Sequence, residues 1–142
     1  MSGHLVDTNV LSELTRERPD PQVVTFLSKL DKDGTFLSVM TIGEIAKGIA
    51  GLALSQRRTV LQGWLDRDLR SWFAGRILSV TEEVAELWGR LAANSKQRGT
   101  PLAVVDGLIA ATALHHSHIL VTRNVKDFEQ AGVQVLNPFE AA

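Results

Sequence analysis

Pro101-Leu102-Ala103-Val104-Val105-Asp106-Gly107-Leu108-Ile109-Ala110-Ala111 opens a helix that runs to about His116, and Ile119-Leu120-Val121-Thr122 follows as a short β-rich run. Gly99-Thr100-Pro101 stops the preceding helix and starts this one. Such pairs recur in both directions along the chain. β-rich runs at His4–Val6, Thr35–Val39, Arg76–Val80, Ile119–Thr122 and Val133–Leu136 alternate with longer helical patterns. That rhythm predicts an α/β domain, a parallel sheet covered by helices. The helices carry local signals. Asp20-Pro21 sets a cap and a first-turn proline before Val23, Phe26, Leu27 and Leu30. Ser55–Phe73 puts Leu61, Leu65, Leu69 and Trp72 on one predicted face, and Thr81 caps a helix with Glu82 and Glu83 in its first turn.

The chain has 142 residues, 15 Lys+Arg, 16 Asp+Glu, four His and no Cys. Its length suits a single domain over 1–142. Absence of cysteine excludes disulfides, thiolate metal sites and cysteine nucleophiles. No apolar run approaches the roughly 18 residues that span a bilayer, and the first residues do not read as a signal peptide. The expectation is a protein without membrane contact, in the cytoplasm. A formal net charge of −1 gives no overall pull toward nucleic acid, so binding of that kind needs a local basic patch or metal ions.

The informative acids are those that local structure does not explain. In an open parallel sheet, functional groups gather at the carboxyl ends of the strands. Asp7 ends the first β run, where Thr8 or Asn9 would serve equally well as a helix cap. Glu44 follows the second run, in Thr41-Ile42-Gly43-Glu44, which by itself reads as a capping box. Asp106 is the most anomalous, because its apolar helix offers it no solvated face. After the fourth run, in Thr122-Arg123-Asn124-Val125-Lys126-Asp127, Asn124 reads as a cap or a ligand and Asp127 as a first-turn acid or a ligand. All four regions map to one rim of the sheet. Two carboxylates about 4 Å apart repel by about 4 kcal/mol at an effective dielectric near 20. A divalent cation reconciles them, and oxygen-only ligands favour Mg²⁺ or Mn²⁺ over zinc.

The chain resembles the PIN domains, specifically VapC-type toxins of toxin–antitoxin systems in their FitB-like branch. The resemblance rests on Leu5-Val6-Asp7-Thr8-Asn9-Val10-Leu11-Ser12-Glu13, Leu37-Ser38-Val39-Met40-Thr41-Ile42-Gly43-Glu44, Phe73-Ala74-Gly75-Arg76-Ile77-Leu78, Asp106-Gly107-Leu108-Ile109-Ala110-Ala111-Thr112-Ala113 and Thr122-Arg123-Asn124-Val125-Lys126-Asp127-Phe128, in family order. It implies a three-layer sandwich around a central, mostly parallel sheet of about five strands. It further implies a Mg²⁺- or Mn²⁺-dependent endoribonuclease toxin that is homodimeric and neutralised by a small antitoxin. Asp7, Glu44 and Asp106 match the three family acids that hold metal. A fourth acid falls at Asn124 in the FitB-like pattern and at Asp127 in many VapC toxins, and which of the two completes the site stays open. Thr8, Asn9, Thr122 and Asn124 are the polar neighbours expected to orient the carboxylates.

Arg16, Arg18 and Arg123 lie nearest in sequence to the acidic rim and are the candidates for RNA phosphates. Arg57, Arg58, Arg67 and Arg70 read instead as a solvated helix face. His115, His116 and His118 end a helix, where imidazolium favours the dipole, and lie at the amino side of the sheet. Trp64, Trp72 and Trp88 fall in apolar stripes. Neither G-x-G-x-x-G nor G-x-x-x-x-G-K-[ST] occurs. Asn9 stands where a haloacid-dehalogenase-like phosphatase needs its second Asp. The rival reading is a non-catalytic module whose acidic pocket receives a basic partner within a DNA-binding regulatory complex.

Overall fold

The computed structural model describes residues 3–140. Five strands, β1 (His4–Val6), β2 (Thr35–Ser38), β3 (Ile77–Leu78), β4 (Ile119–Val121) and β5 (Val135–Leu136), form one sheet in the order β3-β2-β1-β4-β5. Every neighbouring pair is parallel. Alternation along each central strand builds a core on either face. Val6, Leu37 and Val121 point to the side covered by α1 (Thr8–Glu13), α2 (Pro21–Ser28), α3 (Val39–Ala50) and α4 (Gln56–Gly63) with its extension. Leu5, Phe36 and Leu120 point to the side covered by α7 (Val104–His115), α8 (Val125–Gln130) and, outside α7, α6 (Glu82–Gln97). The result is a three-layer sandwich whose sheet is wholly parallel.

Local chemistry sets the helix starts. Asp20 accepts from the Gln22 amide at 2.9 Å with Pro21 at the first helical position, and Thr81 Oγ1 accepts from the Val84 amide at 3.2 Å. α6 and α7 pack closely because Gly107 has no side chain. A Cβ there would lie 2.8 Å from Trp88 Cδ1, which makes Trp88 a packing residue.

Three expectations need correction. The Ser55–Phe73 helix does not hold one phase: after α4 a π turn spans Trp64–Leu69, and α5 (Arg70–Trp72) follows. The wider turn leaves Leu65, Leu69 and Phe73 buried and Trp72 half-exposed. Thr41 caps nothing, since α3 begins two residues earlier with Ser38 accepting from the Met40 amide at 3.0 Å. The supposed capping box is therefore the second turn of α3, and Glu44 is released from it. At the helix end, His118 Nδ1 accepts from the Gly3 amide at 3.1 Å, and burial lowers the pKa of both His116 and His118. Burial thus favours the neutral form of both rings over the form the helix dipole would favour, and for His118 the accepted bond acts in the same direction. Among the described residues no helix is long and apolar enough to cross a membrane.

Candidate functional site

The connections β1 to β2 to β3 run to one side of β1, and the chain then crosses back to place β4 and β5 on the other. The carboxyl ends of β1 and β4 thus flank the topological switch point, where an open parallel sheet leaves a crevice. Asp7 follows β1 and Thr122 follows β4. The Asp7 amide donates to the Val121 carbonyl at 2.9 Å, so the two strand ends are stitched together below the crevice.

Asp7 is 4% exposed. Its carboxylate accepts from the Thr8 amide at 2.8 Å, from Thr122 Oγ1 at 2.8 Å and from Asn9 Nδ2 at 3.3 Å. It is therefore the N-cap of α1 as well as a site carboxylate, so the capping and functional readings coexist. Burial pushes its pKa up to about 6; the Thr122 and Thr8 bonds oppose the rise, and the charges of Asp106 and Glu44 add to it. Desolvation outranks mutual repulsion here.

Glu44 reaches the same region from the second turn of α3. Thr8 Oγ1 donates to its Oε1 at 2.5 Å and lies 3.2 Å from the buried Thr41 Oγ1. Thr41 was not anticipated as a member of this network. Its null exposure in the middle of an otherwise ordinary helical turn is visible only once α1 is packed against α3.

Asp106 departs from the expectation of having no solvated face. It is half-buried in the first turn of α7, where Val104 is 60% exposed. Its pKa is raised by burial first, then by the charges of Glu44 and Asp127. Asp127 is an exposed acid in the first turn of α8. Asn124 precedes that helix, but its side chain makes no capping bond; its amide donates to Thr122 Oγ1 at 3.0 Å. Asn9 ties the two rims together, with Oδ1 accepting from the Arg123 amide at 3.2 Å.

The basic candidates are partly committed elsewhere. Arg16 pairs with the buried Glu13 at 3.3 Å. Glu13, whose carboxyl the Asp20 amide holds below its ordinary range, closes the α1–α2 loop at 2.9 Å. The Arg123 guanidinium lies 4.3 Å above the Phe139 ring, and Arg18 is exposed in the α1–α2 loop. Among the described residues no Lys or Arg forms an ion pair with Asp7, Glu44, Asp106 or Asp127.

The donor chemistry fits a hard dication: the groups are oxygen-only, acidic and without a competing cation. Their arrangement is open, since among the described residues no three acidic or imidazole groups stand close enough to enclose an ion. The carboxylates expected to crowd at one rim are thus not drawn into a metal-holding cluster among the described residues.

The fold is that of a wholly parallel, three-layer α/β protein with Asp7 at its switch point. The PIN domain family matches residues 4–133. The chain is similar to toxin FitB of Neisseria gonorrhoeae, 38% identical over 95% of this chain and 97% of that protein. It is also similar to the VapC ribonuclease Y4jK of Sinorhizobium fredii, 34% identical over 97% and 99%. A solved structure of FitAB bound to the IR36 DNA fragment superposes with a TM-score of 0.92 at 37% identity, covering 98% of this chain and 97% of that one. The chain belongs to the PIN-domain family, with relatives named as FitB and VapC toxins.

Proposed function

We propose that this protein is a toxin of the VapC and FitB kind that hydrolyses RNA phosphodiester bonds with Mg²⁺ or Mn²⁺ and is neutralised by a small antitoxin. The observation that carries the reading is Asp7, a carboxylate buried at the switch point, its pKa raised to about 6 by burial and further by the charges of Asp106 and Glu44, with no Lys or Arg partner among the described residues. Asp7, Glu44 and Asp106 would hold the ion, with Asp127 as the fourth acid. A bound dication supplies charge for the phosphoryl oxygens and lowers the pKa of a water.

The chain's own residues do the positioning. Thr122 and Asn9 fix the angle of the Asp7 carboxylate, and Thr8 fixes Glu44 through its hydroxyl. Asp106, half in solvent, leaves an approach for the substrate. Relatives named ribonuclease support the reaction class. Solved FitAB and VapBC complexes support an antitoxin partner, and a homodimer is part of the same proposal.

Purified protein should cleave RNA with Mg²⁺ or Mn²⁺, stop in EDTA, and lose activity in Asp106→Asn. RNA cleavage that persists in EDTA or in that variant would end the metal-dependent reading. A DNA-bound FitAB relative also favours a second reading, a non-catalytic partner in a DNA-binding complex. Operator binding by the antitoxin complex without any RNA cleavage by the freed toxin would establish it.

A further inference from the structure

A groove of about 520 Å³ runs along α3 away from the acidic crevice, bordered by Glu44, Lys47, Gly48, Leu52 and, across it, Val105 of α7. Lys47 is the sole cation on its walls. It stands one turn beyond Glu44, a rise of about 4.5 Å along the helix axis. That spacing allows an i,i+3 ion pair, yet none forms: Glu44 takes its bond from Thr8, and among the described residues Lys47 has no carboxylate partner. The ammonium is exposed at the side of the groove.

We propose that Lys47 is a substrate-positioning residue, holding an RNA phosphate next to the bond that is cut. The inference rests on the RNA-cleaving reading above. An acidic crevice repels a polyanion, so a chain entering it needs a fixed positive charge beside the carboxylates. Of the arginines named above, Arg16 is paired, Arg123 lies over an aromatic ring and Arg18 sits in the α1–α2 loop, whereas the exposed Lys47 lines the groove beside Glu44. The α3 backbone is bare on the same side. A Cβ at Gly43 or Gly48 would meet nothing within 4 Å, so internal packing does not call for glycine at either position. Glycine weakens a helix relative to alanine, and both positions open the groove to close approach by a sugar–phosphate strand.

The test uses wild type, Lys47→Ala and Lys47→Arg, with KM and kcat measured on one RNA. Binding of a labelled single strand is followed against salt in an Asp106→Asn background. Loss of one phosphate contact should raise KM about tenfold with kcat nearly unchanged. The log–log salt slope should fall by about 0.7, and Lys47→Arg should restore both. Unchanged KM and slope in Lys47→Ala, with wild type active, would overturn the role of Lys47 alone. A wild type that neither binds nor cleaves RNA would remove both this role and the reading beneath it. Sedimentation provides the remaining check: if Lys47→Glu breaks a dimer and leaves RNA affinity intact, the groove is a subunit contact and the proposal fails.

Discussion

The two ends of the sheet bury titratable groups in opposite ways. At the amino end, His118 accepts from the Gly3 amide, stacks on Phe36 with ring centroids 4.5 Å apart, and is itself stacked by His116 at 5.7 Å. Burial lowers the pKa of His4, His116 and His118, so desolvation at that end favours the neutral rings. At the carboxyl end, burial raises Asp7 to about 6, and at neutral pH the group is nevertheless ionised beside Glu44 and Asp106. One end relieves its desolvation by staying neutral. The other keeps its charge and is left in need of a counter-ion, which separates a structural cluster from a candidate site.

The largest expected effect is on activity. Asp7→Asn should lower RNA cleavage by at least about 10²-fold, the scale for losing one electrostatic catalytic group, in a steady-state assay with Mn²⁺. Near-normal turnover would place the chemistry elsewhere.

The same substitution should act oppositely on stability. The folded pKa of Asp7 lies above its ordinary 3.8. Its contribution is therefore fully present below pH 3.8 and lost as pH rises through about 6. At about 1.4 kcal/mol per pKa unit, the ionised group costs the fold up to about 3 kcal/mol at neutral pH. Asp7→Asn should raise the Tm of metal-free protein at pH 7.5, and Asp106→Asn should do so by less, because Asp106 is half-exposed. Clear destabilisation by both would make these acids hydrogen-bond hubs rather than a charge crowd.

The histidine end has the reverse slope. With folded pKa values lowered from 6.5, its contribution is present above pH 6.5 and lost as pH falls. His118→Asn keeps an acceptor for the Gly3 amide and removes the titration, so urea midpoints should fall less between pH 6.5 and 5 than in wild type. An identical decline would show that the stack does not govern acid sensitivity. Of the two effects on cleavage, the smaller is expected for Thr8→Val. Glu44 loses its hydroxyl partner, which should reduce cleavage by about 10–100-fold with the circular dichroism spectrum unchanged.

Much of this was legible from local patterns. The strands lie within a residue or two of the β-rich runs, because a buried parallel strand needs a short apolar stretch and little else. Caps at Asp20 and Thr81 act within a few residues and were readable for the same reason. Glu44 shows the limit: Thr41-x-x-Glu44 has the spacing of a capping box, but the chain caps α3 at Ser38, so the motif lies inside a helix. Trp72 shows another, since the π turn before it shifts the phase of the apolar face and no pattern in the chain announced it.

The sequence alone determined the alternation of strand and helix and marked Asp7, Glu44, Asp106 and Asp127 as acids that follow strands or begin helices. Only the tertiary structure decided that β4 returns to the far side of β1, which makes the β1–β4 junction the switch point and joins Asp7 to Thr122. It also decided which acids are desolvated: Asp7 is enclosed, Asp106 is half-open and Asp127 is exposed. The reason is physical. Hydrophobic pattern and capping act over a few residues, whereas strand order and the dielectric around a carboxylate are set by segments more than a hundred residues apart in the chain.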